Sequence, residues 1–162
     1  MTEAVVDAAR IIRAIEYITI ATADADGQPW NTAVYSAFDS DLRFYWASDR
    51  NAVHSTNIAR NSNVFLVIYD STVPAGTGEG VFVKAEAATL ENTGEISHAL
   101  ELLDRRAGEG SNTPEQFLGD MPRRVFAAQA SQVWINGDGE KDGHFIDIRI
   151  DVPVGELRKA LS

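Results

Sequence analysis

The chain has 162 residues, 44% hydrophobic and 23% charged, which suits one globular domain spanning residues 1–162 and excludes a disordered or fibrous chain. Cysteine is absent, which removes disulfides, thiolate catalysis, iron–sulfur clusters and thiolate zinc sites together. The net charge of −10 argues against a nucleic-acid partner, and it requires any anionic ligand to be held by a few well-placed donors.

In chain order, Glu3 to Glu16 places Val6, Ala9, Ile12 and Ile15 at helical spacing and predicts an amphipathic helix. Its acids and its lack of a basic start exclude a secretory signal, and no apolar run reaches membrane-spanning length, so the expectation is a cytoplasmic protein without a membrane partner. "YITIATADADGQPWNTAVYSAF" alternates branched or aromatic with small or polar residues on both sides of an Asp-Gly turn, a hairpin signal. "LRFYWAS" reads as a third strand, "SDRNAVHSTNIARN" (Ser48 to Asn61) as a helix, and "NVFLVIYDS" as a buried strand. "VFVKAEAATLE" alternates as a further strand, and "GEISHALELLDRRAGEG" is helical through Ile96, Leu100 and Leu103, closing on glycine. Two strands, "RRVFAAQ" and "SQVWIN", precede a glycine-rich connection, a last strand "GHFIDIRIDV" and a short helix "VGELRKAL". This order predicts a mainly β protein, a small closed or half-closed antiparallel barrel with a few helices.

Most candidate chemistry falls away on spacing. His54, His98 and His144 are the only histidines, and none pairs with another on a helix face as a zinc site requires, so no metal is expected. A G-x-S-x-G elbow is missing. Asp104, Arg105 and Arg106 near a helix end read as a solvated face. "PAGTGEG" leads into a strand rather than a helix and reads as a turn, not a phosphate loop.

The stretch after "LRFYWA" has the required geometry. A strand ends at Ala47, Ser48 or Asp49 can cap the following helix, and the N–H groups of its first turn can receive a phosphate. Asp49 can also compete for those N–H groups. At this spacing His54 and Asn57 share a face continued by Arg50 and Asn61, while Ala52, Ile58 and Ala59 turn inward. Spacing leaves open whether His54 is a ligand or a surface histidine. It leaves equally open whether Trp30, Trp46, Trp134, Tyr35 and Tyr45 line a flat-ring site or fill a core.

The succession "YITIATADADGQPWNTAVYS", "LRFYWASDRNAVHSTNIARNSNVFLVIYD" and "VFVKAEAATLE", with "RRVFAAQASQVWIN" more weakly, resembles the FMN-binding split-barrel superfamily, the pyridoxamine 5′-phosphate oxidase-like proteins. The resemblance implies a split β-barrel homodimer with FMN between protomers. By position it puts cofactor contacts at Thr32, Ala33, Val34 and Tyr35 on the second strand, Ala47 and Ser48 at the strand end, and His54 and Ser55 at the helix start. It also puts Trp134 across the dimer. Thr32 stands where the oxidases proper carry arginine, and Val53-His54 replaces an arginine–lysine pair. Their basic C-terminal substrate segment is absent, so vitamin B6 oxidation is not implied. The implied function is an FMN-dependent oxidoreductase acting on a small organic substrate with no evident protein acid or base, the alternative being a non-catalytic flavin- or haem-binding protein.

Overall fold

The computed structural model describes Met1–Ser162. Helix α1 (Glu3–Ala14) is followed by strands β1 (Tyr17–Ala23), β2 (Pro29–Tyr35), β3 (Ala37–Phe38) and β4 (Arg43–Asp49), then helix α2 (Val53–Arg60). Strands β5 (Asn63–Tyr69) and β6 (Gly80–Thr89) precede α3 (Thr93–Ala107), a 3-10 turn at Pro114–Phe117, β7 (Arg123–Lys141), β8 (His144–Asp151) and α4 (Val154–Leu161).

One antiparallel sheet runs in the order β2-β1-β5-β6-β7-β4-β3, with β8 hydrogen-bonded to the far end of β7. The sheet curls until β2 and β4 approach each other, but no ladder joins them. That unpaired seam makes the barrel half-closed, and α2 packs against β1, β2 and β6.

The strand alternation produces this shape. Phe44 and Trp46 on β4 face the barrel core, where Trp46 stacks on Phe126 of β7 at 5.5 Å between ring centroids. Tyr45 faces the other way and joins Ile96, Leu100 and Phe117 in a second core beneath α3. The β1–β2 turn is organised by Asp24, whose Oδ1 accepts from the N–H groups of Asp26 and Gln28, both at 2.9 Å. Gly27 supplies the positive φ of 83° that the turn needs.

Several expectations are corrected. "RRVFAAQ" and "SQVWIN" are one 19-residue strand, β7, kinked where Ser131 bulges between Ala130, opposite Ala85, and Gln132, opposite Lys84. The glycine-rich connection is mostly strand as well. Gly137 and Gly139 lie opposite Ile148 and Ile146, and the chain reverses only at Asp142 and Gly143, both at positive φ. The glycines admit the isoleucines, since a Cβ on Gly137 would meet Ile150 Cδ1 at 2.5 Å. On α1 the buried face is Val5, Ala8, Ala9, Ile11 and Ile12, so Ala9 and Ile12 of the expected stripe are buried, Ile15 packs against the core, and Val6 is exposed.

Arg106 is not on a solvated face. Its Nη2 donates to the carbonyls of Ile12 (3.0 Å), Arg13 (3.1 Å) and Ile15 (2.6 Å), and its guanidinium lies over Phe38. A cation from α3 thus satisfies carbonyls left free at the end of α1. Its burial lowers the guanidinium pKa.

Candidate functional site at the seam between β2 and β4

Alternation sorts the seam residues into two sets. Val34 belongs to the barrel core, and Thr32, two residues earlier and opposite Ile20, shares its face. Ala33 and Tyr35 face outward, as does Ala47 of β4, which packs on the core beneath α3. Ser48 follows on the inner face. Tyr35 and Ala47 line a cleft of about 560 Å³ bounded by Leu103 and Asp104 of α3, Asn112 of the following loop, and Arg123 of β7. That volume lies in the range of small-molecule sites. Arg123 brings a cation to the cleft, donating to the Ala47 carbonyl at 3.3 Å, and nothing in the sequence pattern singled it out. The Tyr35 hydroxyl is buried without a partner, and burial raises its pKa.

At the inner end of the seam the strand-to-helix junction differs from expectation. Strand β4 runs on through Asp49, and α2 starts at Val53 with Ala52 at the cap position and no side-chain cap. Neither Ser48 nor Asp49 caps it. The Asp49 carboxylate instead accepts from Asn51 N–H at 2.7 Å, and its carbonyl accepts from Ser55 Oγ at 2.7 Å. Arg50 N–H, bonded to the Pro122 carbonyl at 2.8 Å, pins the turn. The carboxylate expected to compete for the helix N–H groups is engaged elsewhere, and no side chain caps the first turn of α2.

The face of α2 is also corrected. His54, Ser55, Asn57 and Ile58 are buried, whereas Ala59 is exposed. Asn57 Nδ2 donates to Thr22 Oγ1 at 3.1 Å, tying the helix to β1. His54 is only 7% exposed, so it is not a surface histidine. Its ring lies 6.5 Å from Phe126, its Nε2 is buried without a partner, and desolvation lowers its pKa. A neutral imidazole offers one N–H donor rather than a cation.

Within one chain, then, Tyr35 and Ala47 meet at the cleft, while Ser48 stands near the end of β4 and His54 and Ser55 in the first turn of α2. Trp134 joins neither group. It lies on the outer face of β7 opposite Phe82, its ring 6.2 Å from that of Phe65.

A half-closed antiparallel barrel, split between β2 and β4 and with a helix packed against its end, defines a split-barrel protein. The family profile of pyridoxamine 5′-phosphate oxidase matches residues 3–137, and the chain belongs to that family. Solved structures agree on the fold. A haem-binding protein from Mycobacterium smegmatis superposes with a TM-score of 0.66 at 18% identity, over 99% of this chain and 62% of that one. The haem storage protein HutZ from Vibrio cholerae gives 0.62 at 15% identity, over 78% and 90%. An F420 reductase gives 0.57 at 18% identity, over 76% and 93%. No curated protein matches the sequence. No helix is long and apolar enough to cross a membrane.

Proposed function

We propose that the chain binds FMN along the β2–β4 seam and works as an FMN-dependent oxidoreductase on a small organic substrate. The observation that carries this reading is the junction at α2, an uncapped helix N-terminus beside a buried, unpartnered His54 Nε2. A phosphate oxygen satisfies both, since helix N–H groups and a neutral imidazole N–H are donors aimed at an acceptor. Ser48 contributes its hydroxyl and Ser55 its backbone N–H. Tyr35 and Ala47 line the cleft along which the rest of the cofactor extends, Thr32, Ala33 and Val34 continue the β2 edge of the seam, and the buried Tyr35 hydroxyl offers a polar contact. When bound, the flavin supplies the redox chemistry, and the chain supplies position and exclusion of water.

The reading includes a homodimer, in which a second copy covers the open side of the seam and brings Trp134 to it. Its support is the β7–β8 ribbon, where Ile146, Ile148 and Ile150 lie over Gly137 and Gly139 yet keep more than a third of their surface exposed. Cytoplasmic location belongs to the same proposal.

The likeness to haem-binding structures favours a second reading, a haem carrier without turnover. An axial imidazole would come from His98 or His144, both exposed, but neither lines the cleft, and His98 Nε2 sits 3.9 Å from Asp39 Oδ2. Flavin therefore fits these residues better. The absorbance spectrum of purified protein separates the two: flavin bands uphold the first reading, and a Soret band replaces it with the second. Anaerobic mixing with NADH and NADPH then identifies the electron donor.

A further inference from the structure

On the β7 side of α2, three arginines from separate parts of the chain converge on one pocket of about 360 Å³. Arg50 comes from the turn after β4, Arg60 from the last turn of α2, and Arg124 from the start of β7, with Ser55 and Thr56 between them. In a chain of net charge −10, this cluster runs against the average. Glu91 is the only acid lining it. Asp120, fully exposed, lies 4.0 Å from Arg50 and is screened by water.

Arg124 is the unusual member. It is only 8% exposed and stands opposite Ser48 in the β4–β7 register. Its Nη1 donates to the Gly119 carbonyl at 2.8 Å. Nη2 is ion-paired with Glu91 Oε1 at 2.5 Å, and Nε is buried with no acceptor. Leaving a buried guanidinium N–H such as this Nε unmet is costly. Glu91 is largely exposed and gives way to a better-shaped partner at small cost. Three guanidiniums against one carboxylate leave an excess of positive charge that a dianion neutralises and a single carboxylate does not.

We propose that this pocket binds a phosphate-class dianion, with Arg124 as the fixed buried donor and Arg50 and Arg60 closing over it from the exposed side. The phosphate is either free or the end of a larger molecule. His54, which meets the flavin phosphate in the reading above, does not line this pocket, so the arginine site is separate from that seat. The site stands on its arginines and does not require that the chain carry a flavin.

The test is calorimetric titration with inorganic phosphate at fixed ionic strength, using wild type, Arg50→Ala, Arg60→Ala and Arg124→Lys. Wild type binds phosphate and not chloride. Arg50 and Arg60 are exposed, so their alanine variants keep the wild-type melting temperature while each weakens phosphate binding about tenfold. Arg124→Lys keeps the charge but loses the fork, and also weakens binding. Repeating the titration with FMN or riboflavin present identifies the source. Phosphate that stays bound beside FMN upholds a separate phosphate site, whereas displacement by FMN alone makes the pocket part of the cofactor's own seat and overturns it as a second site. A protein that takes up no FMN yet binds phosphate through these arginines retires the flavin reading and leaves this one standing. Absence of phosphate binding, or binding unchanged in both alanine variants, overturns it.

Discussion

The Asp49 carboxylate bonds to the backbone N–H of Asn51 at 2.7 Å, and this one contact decides what α2 presents at its N-terminus. An Asp cap would place negative charge on the helix N–H groups; an Asx turn one step earlier leaves them open. His54, in the first turn of the same helix, is buried with an Nε2 that lacks a partner.

His54→Ala is therefore expected to weaken FMN binding about tenfold or more and riboflavin binding little, because the lost donor faces the phosphate. Flavin fluorescence quenching measures both. Because burial holds the imidazole neutral, FMN affinity should not decline as pH rises from about 6 to about 8, where an imidazolium contact would be lost.

The same burial predicts acid sensitivity. A native pKa below the unfolded value near 6.5 means that the unfolded chain binds the proton first. The contribution of His54 to stability is complete above about pH 6.5 and is lost as pH falls toward its lower native pKa. Urea denaturation across that window should show a shallower pH dependence for His54→Gln than for wild type.

Arg106 and its neighbour Arg105 make a controlled pair. Arg106→Leu removes the donor shared by three carbonyls at the end of α1 and is expected to cost about 2 kcal/mol. Arg105 pairs only with Glu101 on the exposed face, so Arg105→Ala should cost about 0.5 kcal/mol or less. Denaturant midpoints of the two variants give the comparison.

These two arginines also show what was legible in the sequence. The buried stripe of α3 was readable because Ile96, Leu100 and Leu103 repeat at the helical period, and the strands because alternation is local. Which of two adjacent arginines turns inward depends on where α1 ends, a tertiary fact that no local pattern carries. The α2 junction differs for a similar reason: the Asp49 carboxylate takes the N–H of Asn51 rather than one inside the helix, and no local pattern distinguishes the two. The neighbourhood of Ser48 and His54 was flagged by a strand running into a helix. Arg123 and Arg124 were invisible as site candidates because only the β4–β7 register, nearly eighty residues apart in the chain, puts Arg124 opposite Ser48. The bulge at Ser131 escaped because a single inserted residue keeps both flanking alternations intact while changing their phase.

The exposed isoleucine stripe bears on the dimer. Ile148→Glu changes a side chain that only Gly137 and its neighbours on the ribbon face, so the fold should survive with a shift in melting temperature of a few degrees at most. Light scattering after size exclusion should find a dimer for wild type and a smaller species for the variant. A wild-type monomer would remove the second copy from the account.

The central claim, that this seam holds FMN by its phosphate, is tested most directly by titrating cofactor-free protein with FMN and with riboflavin and following the quenching of flavin fluorescence. The account predicts saturable FMN binding, at least about tenfold tighter than riboflavin, as charge-assisted contacts to a phosphate should produce. Equal affinity for the two, or no quenching by either, would contradict it.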